Sequence, residues 1–220
     1  MIIRRLYLFL TKLLYHQFAW SYDAVAALVS AGHWKNWVLA ILPDLAGHRV
    51  LELGHGPGHL QVALIKAGCQ VVGVDKSPQM TRQAARRLRK LQIHRPPLVH
   101  GSAFYLPFAD ETFGRVAATF PTNYIIARET LTEIYRILTP SGRVVVVPGA
   151  RLVTPRGVVQ QFAAGIFRLF GLSQDWGQAA HEWFVLPMQR AGFVVKVERR
   201  PFRSSEIFVI IGEKQSLENT

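Results

Sequence analysis

Val50-Leu51-Glu52-Leu53-Gly54-His55-Gly56-Pro57-Gly58-His59 is the stretch on which the reading of this chain turns. A buried strand runs into three alternating glycines and then into a helix. Glycines at such a turn let the backbone approach a ligand closely and take conformations that a side chain forbids. The helix beyond them points free N–H groups at whatever is bound. Taken alone, the loop serves equally as a structural turn or as the site of some other nucleotide.

Working outward, Val71-Val72-Gly73-Val74-Asp75 is a strand that ends in a carboxylate, about twenty residues past the glycines. An acid there can accept both hydrogens of a ribose diol. Its other reading is the N-cap of the next helix, but Ser77 is the better cap. The alternation continues along the chain. We read strands over Arg49–Gly54, Gln70–Val74, Leu98–Gly101, Phe113–Thr119 and Arg143–Val147, and helices over Gly58–Ala67, Ser77–Gln92 and Glu129–Leu138. Strands apolar on both faces and separated by helices imply a parallel sheet covered on both sides. The fold class is α/β, a Rossmann-like doubly wound, mostly parallel sheet. After Pro148 the pattern changes to helices over Arg156–Phe170 and Gln178–Ala191, then strands Phe193–Glu198 and Glu206–Ile211. These two strands are expected to form a C-terminal antiparallel hairpin at one edge, with Pro201, Ser204 and Ser205 in its turn.

The 220 residues suit one domain, half of them apolar, with no repeat or Gly/Ser linker to start another. We divide it into an N-terminal helical lid segment (1–45), a cofactor-binding core (46–148), and a helical substrate-side region with the terminal hairpin (149–220). Cys69 is the only cysteine, which excludes an internal disulfide or a cysteine-based zinc cluster and fits a reducing cytoplasm. Arg4 and Arg5 before Leu6–Leu10 imitate a secretory signal, but Lys12 and His16 interrupt it. No stretch of about 18 uncharged apolar residues is present to span a membrane.

The formal charge is +12, and Lys76 to Arg95 holds seven Lys or Arg and no acid. Met80, Ala84, Leu88 and Leu91 form the apolar stripe of that helix, and Arg82, Arg86, Arg87, Arg89 and Lys90 fall mostly on its solvent side. Such a face is a solvated surface or an attractor of anionic lipid, nucleic acid or acidic substrate.

Glu52 with Gly54-His55-Gly56-Pro57-Gly58, then Asp75-Lys76-Ser77-Pro78-Gln79-Met80, then Gly101-Ser102-Ala103 with Leu106-Pro107-Phe108, and last Leu138-Thr139-Pro140-Ser141-Gly142 come in a specific order. Together they resemble the class I S-adenosylmethionine-dependent methyltransferases, most of all the type 11 group that includes ubiquinone and menaquinone C-methyltransferases. The likeness covers about Val50 to Val147. It implies S-adenosyl-L-methionine as cofactor. Glu52 then faces its methionine end, Gly54, His55, Gly56 and Gly58 pass beneath it, and Asp75 with Lys76 lies at the ribose. Met80 packs on the adenine, unless it is simply a core residue of the basic helix, and Ser102 with Ala103 lines the adenine edge. His55, Pro57 and Ser102 depart from the usual pattern, and Ser102 removes a carboxylate acceptor for the adenine amino group. A metal reading of Glu52, His55 and His59 fails because Gly56, Pro57 and Gly58 break the helical face it needs.

In an open sheet the acceptor lies outside the carboxyl ends of the strands. Thr119, which is also assigned to the cofactor, Phe120, Pro121, Thr122, Asn123 and Tyr124 are candidates there, and Tyr15, His16, Phe18, Trp20, Tyr22 and Asp23 from the N-terminal segment. Tyr22 and Asn123 are the preferred catalytic residues. Phe120 to Tyr124 does not match the Asn-Pro-Pro-aromatic signature of base-amine methylation. Val158, Val159, Phe162, Ile166, Phe167, Leu169 and Phe170 offer an apolar wall, by analogy, for a quinone precursor or lipid-like small molecule. The alternatives are an RNA methyltransferase using the basic face and a cofactor-binding protein without transferase activity. Ile3, Leu6, Tyr7, Leu10, Leu13, Leu14 and Phe18 recur at helical spacing, and residues 1 to about 20 are expected to form a basic amphipathic helix that covers the active-site mouth and rests on an anionic membrane, the alternative being a helix that packs on the sheet.

Overall fold

The computed structural model describes residue 30 and residues 32–152, 181–202 and 205–215. Two short helices, α1 (Trp34–Leu39) and α2 (Leu42–Leu45), lead into strand β1 (Arg49–Leu53). There follow α3 (His59–Lys66), β2 (Gln70–Asp75), α4 (Pro78–Arg89), β3 (Leu98–His100) and β4 (Phe113–Thr119). A 3-10 turn (Asn123–Ile126), α5 (Arg128–Ile137) and β5 (Leu138–Leu152) come next. A π-helical turn (His181–Val185) opens into α6 (Leu186–Arg190), and β6 (Phe193–Phe202) and β7 (Ser205–Lys214) end the described chain.

The seven strands form one sheet in the order β3-β2-β1-β4-β5-β7-β6. β1, β2, β3, β4 and β5 pair in parallel, while β7 runs antiparallel to both β5 and β6. The chain winds outward from β1 to β3 and then returns to β4 on the other side of β1. That reversal leaves a crevice beyond the carboxyl ends of β1 and β4, where open α/β sheets take their ligands.

The period of two along each strand sends alternate side chains to opposite faces. Val50, Val71, Ala117, Val145 and Val209 meet Trp37 and Val38 of α1, Leu45 of α2, and Leu60 and Leu64 of α3. Leu51, Val116, Val144 and Ile210 meet Leu131, Ile134 and Ile137 of α5 and Met188 of α6 on the other face. Both faces are covered, so the central strands are largely apolar, with Glu52 of β1 a buried exception.

Three details differ from the sequence reading. β5 begins at Leu138 rather than Arg143, because Leu138 already pairs with Phe113 before a shift of register that carries Ser141 through φ +59°. The hairpin is longer than expected, and Pro201 and Ser205 lie within its strands, paired with Glu206 and Phe202. β6 is the sheet edge, where a proline costs no ladder bond on its open side. The expected helix Gln178–Ala191 is a π-helical turn joined to α6 from His181 on. The expected helix Arg156–Phe170 lies outside the described residues.

Side chains tie the helices before β1 to the hairpin. Asp44 of α2 takes two hydrogen bonds from Arg200 of β6, at 2.6 and 2.9 Å. Trp37 is 1% exposed, and its indole N–H donates to Ser205 Oγ at 2.9 Å. Trp37→Ala opens a cavity and breaks this bond, and should lower the unfolding free energy by about 3–5 kcal/mol. Urea titration checks it; a loss below about 1 kcal/mol would mean the helix is not part of the core.

Candidate active site

A cavity of about 420 Å³ opens at the crevice between β1 and β4. Its floor is the glycine loop. Gly56 (φ +52°) donates its N–H to Asp75 Oδ2 at 2.9 Å, and Ser77 donates its N–H to Asp75 Oδ1 at 2.7 Å. One carboxylate at the end of β2 thus holds the loop beyond β1 and the entry to α4. Ser77 caps α4 by accepting the N–H of Met80 at 3.3 Å, which leaves Asp75 outside the cap role.

The glycines serve different ends. A Cβ on Gly56 would meet nothing within 4 Å, so its face is open. A Cβ on Gly58 (φ +84°) would come within 2.9 Å of Ala84 Cβ and 3.1 Å of Ala84 Cα, so this glycine lets α3 pack on α4. At Gly54 the neighbour is Tyr124, whose hydroxyl donates to Leu53 O at 3.1 Å.

Beneath the loop lies a buried polar group. Glu52 is 1% exposed and accepts Gln61 Nε2–H at 2.8 Å. Loss of hydration pushes its carboxyl up to about 8; the Gln61 bond opposes this and the Asp75 charge adds to it. At neutral pH Glu52 is therefore mainly protonated. His55 turns inward, and its Nδ1–H donates to Gly56 O at 2.8 Å. Burial holds its imidazole below the usual range. Its Nε2 and Gln61 Oε1 are buried without a hydrogen-bond partner. Room for both comes from Gly73, where a Cβ would lie 2.9 Å from His55 Cδ2 and 3.0 Å from Gln61 Nε2.

Glu52, Gly54, His55, Gly56, Asp75, Lys76, Ser102, Ala103 and Thr119, the residues assigned to the cofactor from the sequence, all line the cavity. Ser102 Oγ accepts the N–H of Phe104 at 3.2 Å and shapes the turn after β3. That turn is fixed from behind: Arg136 of α5 donates to Leu106 O at 3.1 Å and Phe108 O at 2.7 Å, and Glu133 accepts the Leu106 N–H at 2.6 Å. The hydrogen bonds from Arg136 hold the Glu133 carboxyl below its usual range.

Gly58 and Met80 are not among the lining residues; Met80 is fully buried on the inner side of α4. Asn123 is exposed and does not line the cavity, whereas its neighbour Tyr124 does. Tyr22, with the rest of Tyr15–Asp23, lies outside the described residues. The sequence reading passed over Trp34 and Val38 of α1 and Leu60 of α3, which form part of the wall. Their signal was the apolar spacing of Trp34, Trp37 and Val38. Among the described residues no group of three or more His, Cys, Asp or Glu is placed to hold a metal ion.

The separation of roles in the loop is testable. Gly58→Ala should destabilise the fold by about 1–3 kcal/mol through overpacking against Ala84. Gly56→Val should leave a folded protein that binds the cofactor implied by the sequence resemblance, S-adenosylmethionine, at least about tenfold more weakly, because a branched side chain in the left-handed region distorts the loop and fills its open face. Thermal unfolding and calorimetry on both variants check this; the reverse assignment of effects would refute it.

A family model for a methyltransferase domain matches residues 50–142. The demethylmenaquinone methyltransferase of Lactiplantibacillus plantarum is 32% identical over 170 residues, covering 72% of this chain and 71% of that one. The enzyme of the same name from Clavibacter sepedonicus is 35% identical over 130 residues, covering 57% and 52%. A ubiquinone/menaquinone biosynthesis C-methyltransferase of Blochmanniella floridana is 30% identical, covering 66% and 62%. The matches thus span from about half to about seven tenths of these relatives' own length. Among solved structures, Haemonchus contortus phosphoethanolamine N-methyltransferase 2 with S-adenosylhomocysteine superimposes with a TM-score of 0.59 at 18% identity, covering 86% of this chain and 57% of that one. Geranyl diphosphate C-methyltransferase of Streptomyces coelicolor gives 0.59 at 15%, covering 88% and 84%. At such identities the likeness is one of fold, and it agrees with the mixed, mostly parallel sheet. The chain belongs to the class I S-adenosylmethionine-dependent methyltransferases, in the group that holds the menaquinone and ubiquinone C-methyltransferases.

Proposed function

We propose that this chain methylates a hydrophobic small molecule of the quinone-precursor class. The observation that carries the proposal is the division of one cavity into two halves. At the ends of β1 and β2 stand Asp75, the open face of Gly56 and the buried acid Glu52, with Tyr124 beside Gly54; at the end of β4 and on α1 stand Phe120, Trp34 and Val38. The first half fits S-adenosylmethionine: a carboxylate for the ribose, a loop with room above it, and an acid that gains from a cation. When bound, the cofactor supplies a methyl group as an electrophile, the acceptor's electron pair forming the new bond as sulfur takes back the old one. The chain's own part is alignment and exclusion of water. Asp75 and the Gly56 N–H, already joined, fix the ribose end. Lys76, Ser102 and Ala103 line the nucleoside side. The apolar half keeps water from the acceptor.

The named relatives favour this reading over RNA methylation by the basic face and over cofactor binding without transfer. Action in the cytoplasm belongs to the same proposal. Among the described residues no helix is long and apolar enough to cross a membrane. The anionic-membrane contact expected of residues 1 to about 20 falls outside the described residues.

Two measurements test the proposal. Full-length protein and cofactor added to a cell extract should place one methyl group on a prenylated quinone precursor, read by mass spectrometry; label found in RNA alone would contradict it. The second follows Glu52. Its carboxyl, raised to about 8 in the free protein, must ionise to face the cofactor's ammonium group. Binding at pH 7 should therefore release close to one proton, and affinity should rise between about pH 6 and 7.5. Glu52→Gln should bind more weakly and release none. Calorimetry in buffers of different ionisation enthalpy reads the proton count, and equal counts for both proteins would refute the role.

A further inference from the structure

The cavity's walls follow the order of the strands. Gly101 and Ser102 come from the end of β3, Asp75 from β2, Gly54 and Gly56 from β1, and Thr119 and Phe120 from β4. A cofactor with its ribose on Asp75 and its amino-acid end passing Gly54 uses the first three strand ends. What remains is the end of β4 and the helix that faces it, α1.

At that remaining place two aromatic rings meet. Phe120 and Trp34 have centroids 4.1 Å apart with planes at 34°, and both line the cavity. Phe120 has φ +50°, a left-handed conformation that is uncommon for a bulky residue and is found where the surroundings over-determine it, often at functional sites. Its N–H donates to Val147 O at 2.7 Å, which pins that backbone one step past the end of β4. A glycine would sit there without strain. Instead the position carries a partly exposed ring, turned against Trp34 and within 6.2 Å of the buried Trp37.

We infer that Phe120 and Trp34 form the seat for a planar ring of the acceptor, beside the methyl donor, and that the strained backbone at Phe120 is held to aim its ring at that seat. Aromatic rings stack offset or tilted on one another with an attraction beyond the area they bury. Recognition of the conjugated ring that a quinone precursor carries is thus assigned to these two residues. A saturated ring or a bare lipid chain gains only area from this wall. The inference rests on the acceptor reading above.

The test uses full-length protein, S-adenosylmethionine and 1,4-naphthalenediol kept reduced, with decahydronaphthalene-1,4-diol as the saturated competitor. Phe120→Leu and Trp34→Leu should raise the KM for the naphthalenediol by about tenfold or more, while Phe120→Tyr, which keeps the ring, stays within about twofold. Cofactor affinity should stay within about twofold in all three, which also reports that each is folded. The saturated diol should not compete. Turnover with a wild-type KM in both leucine variants overturns the seat and leaves the proposed function standing. Binding of the naphthalenediol without turnover, lost in Phe120→Leu, keeps the seat and removes the proposed function. Neither binding nor turnover by the wild-type protein overturns both.

Discussion

The hydrogen bond from the Gly56 N–H to Asp75 joins the ends of two adjacent parallel strands, and the site is built around it. The same carboxylate also takes the Ser77 N–H, so the loop after β1 and the first turn of α4 share one anchor. With that anchor set, two backbone N–H groups of the protein itself hold the cavity's floor. A carboxylate oxygen can accept more than one hydrogen, so a diol can join the bonds already made rather than replace them. Preformed contacts of this kind spare part of the ordering cost of binding.

Around this anchor the protein accepts local costs. Glu52 is buried as an acid, His55 Nε2 and Gln61 Oε1 lack partners, and Phe120 holds a strained backbone. Each lies on the cavity or just under it, while the packed layers of Leu, Ile and Val on both sheet faces carry the stability. Gly73 shows how far the arrangement reaches. Its missing side chain makes room for His55 and Gln61, so an unusual histidine in the loop is matched by a glycine in the neighbouring strand. Behind the turn after β3, the Arg136 and Glu133 pair extends the same support to the third strand end.

Much of this was legible in the sequence because its causes are local. A run of apolar residues, three glycines and a terminal acid report their own strand, turn and role, and the order of strands and helices from β1 to β4 follows from such runs. What was not legible depends on distant partners. Asn123 and Tyr124 are one residue apart, and only the turn after Phe120 decides that the tyrosine enters the cavity and the asparagine faces solvent. Met80 was legible in part, since its place on the apolar stripe of α4 offered a core reading beside the adenine one, and it is fully buried there. The strain at Phe120 is a backbone angle, invisible in a list of residues. Trp34 joins the wall because α1 folds across from β4, a contact between residues far apart in sequence. The strands of the hairpin were read too short because pairing along β6 and β7 outweighs the local preference of Pro201 and Ser205 for turns.

The most direct test of the central claim is a crystal structure of the full-length protein with S-adenosylhomocysteine. Both ribose hydroxyls should lie on Asp75, with the Gly56–Asp75 bond retained and the sulfur near Gly54 on the side facing Phe120. A nucleoside bound elsewhere, or lying in the cavity with Asp75 still holding only the loop and α4, would contradict it.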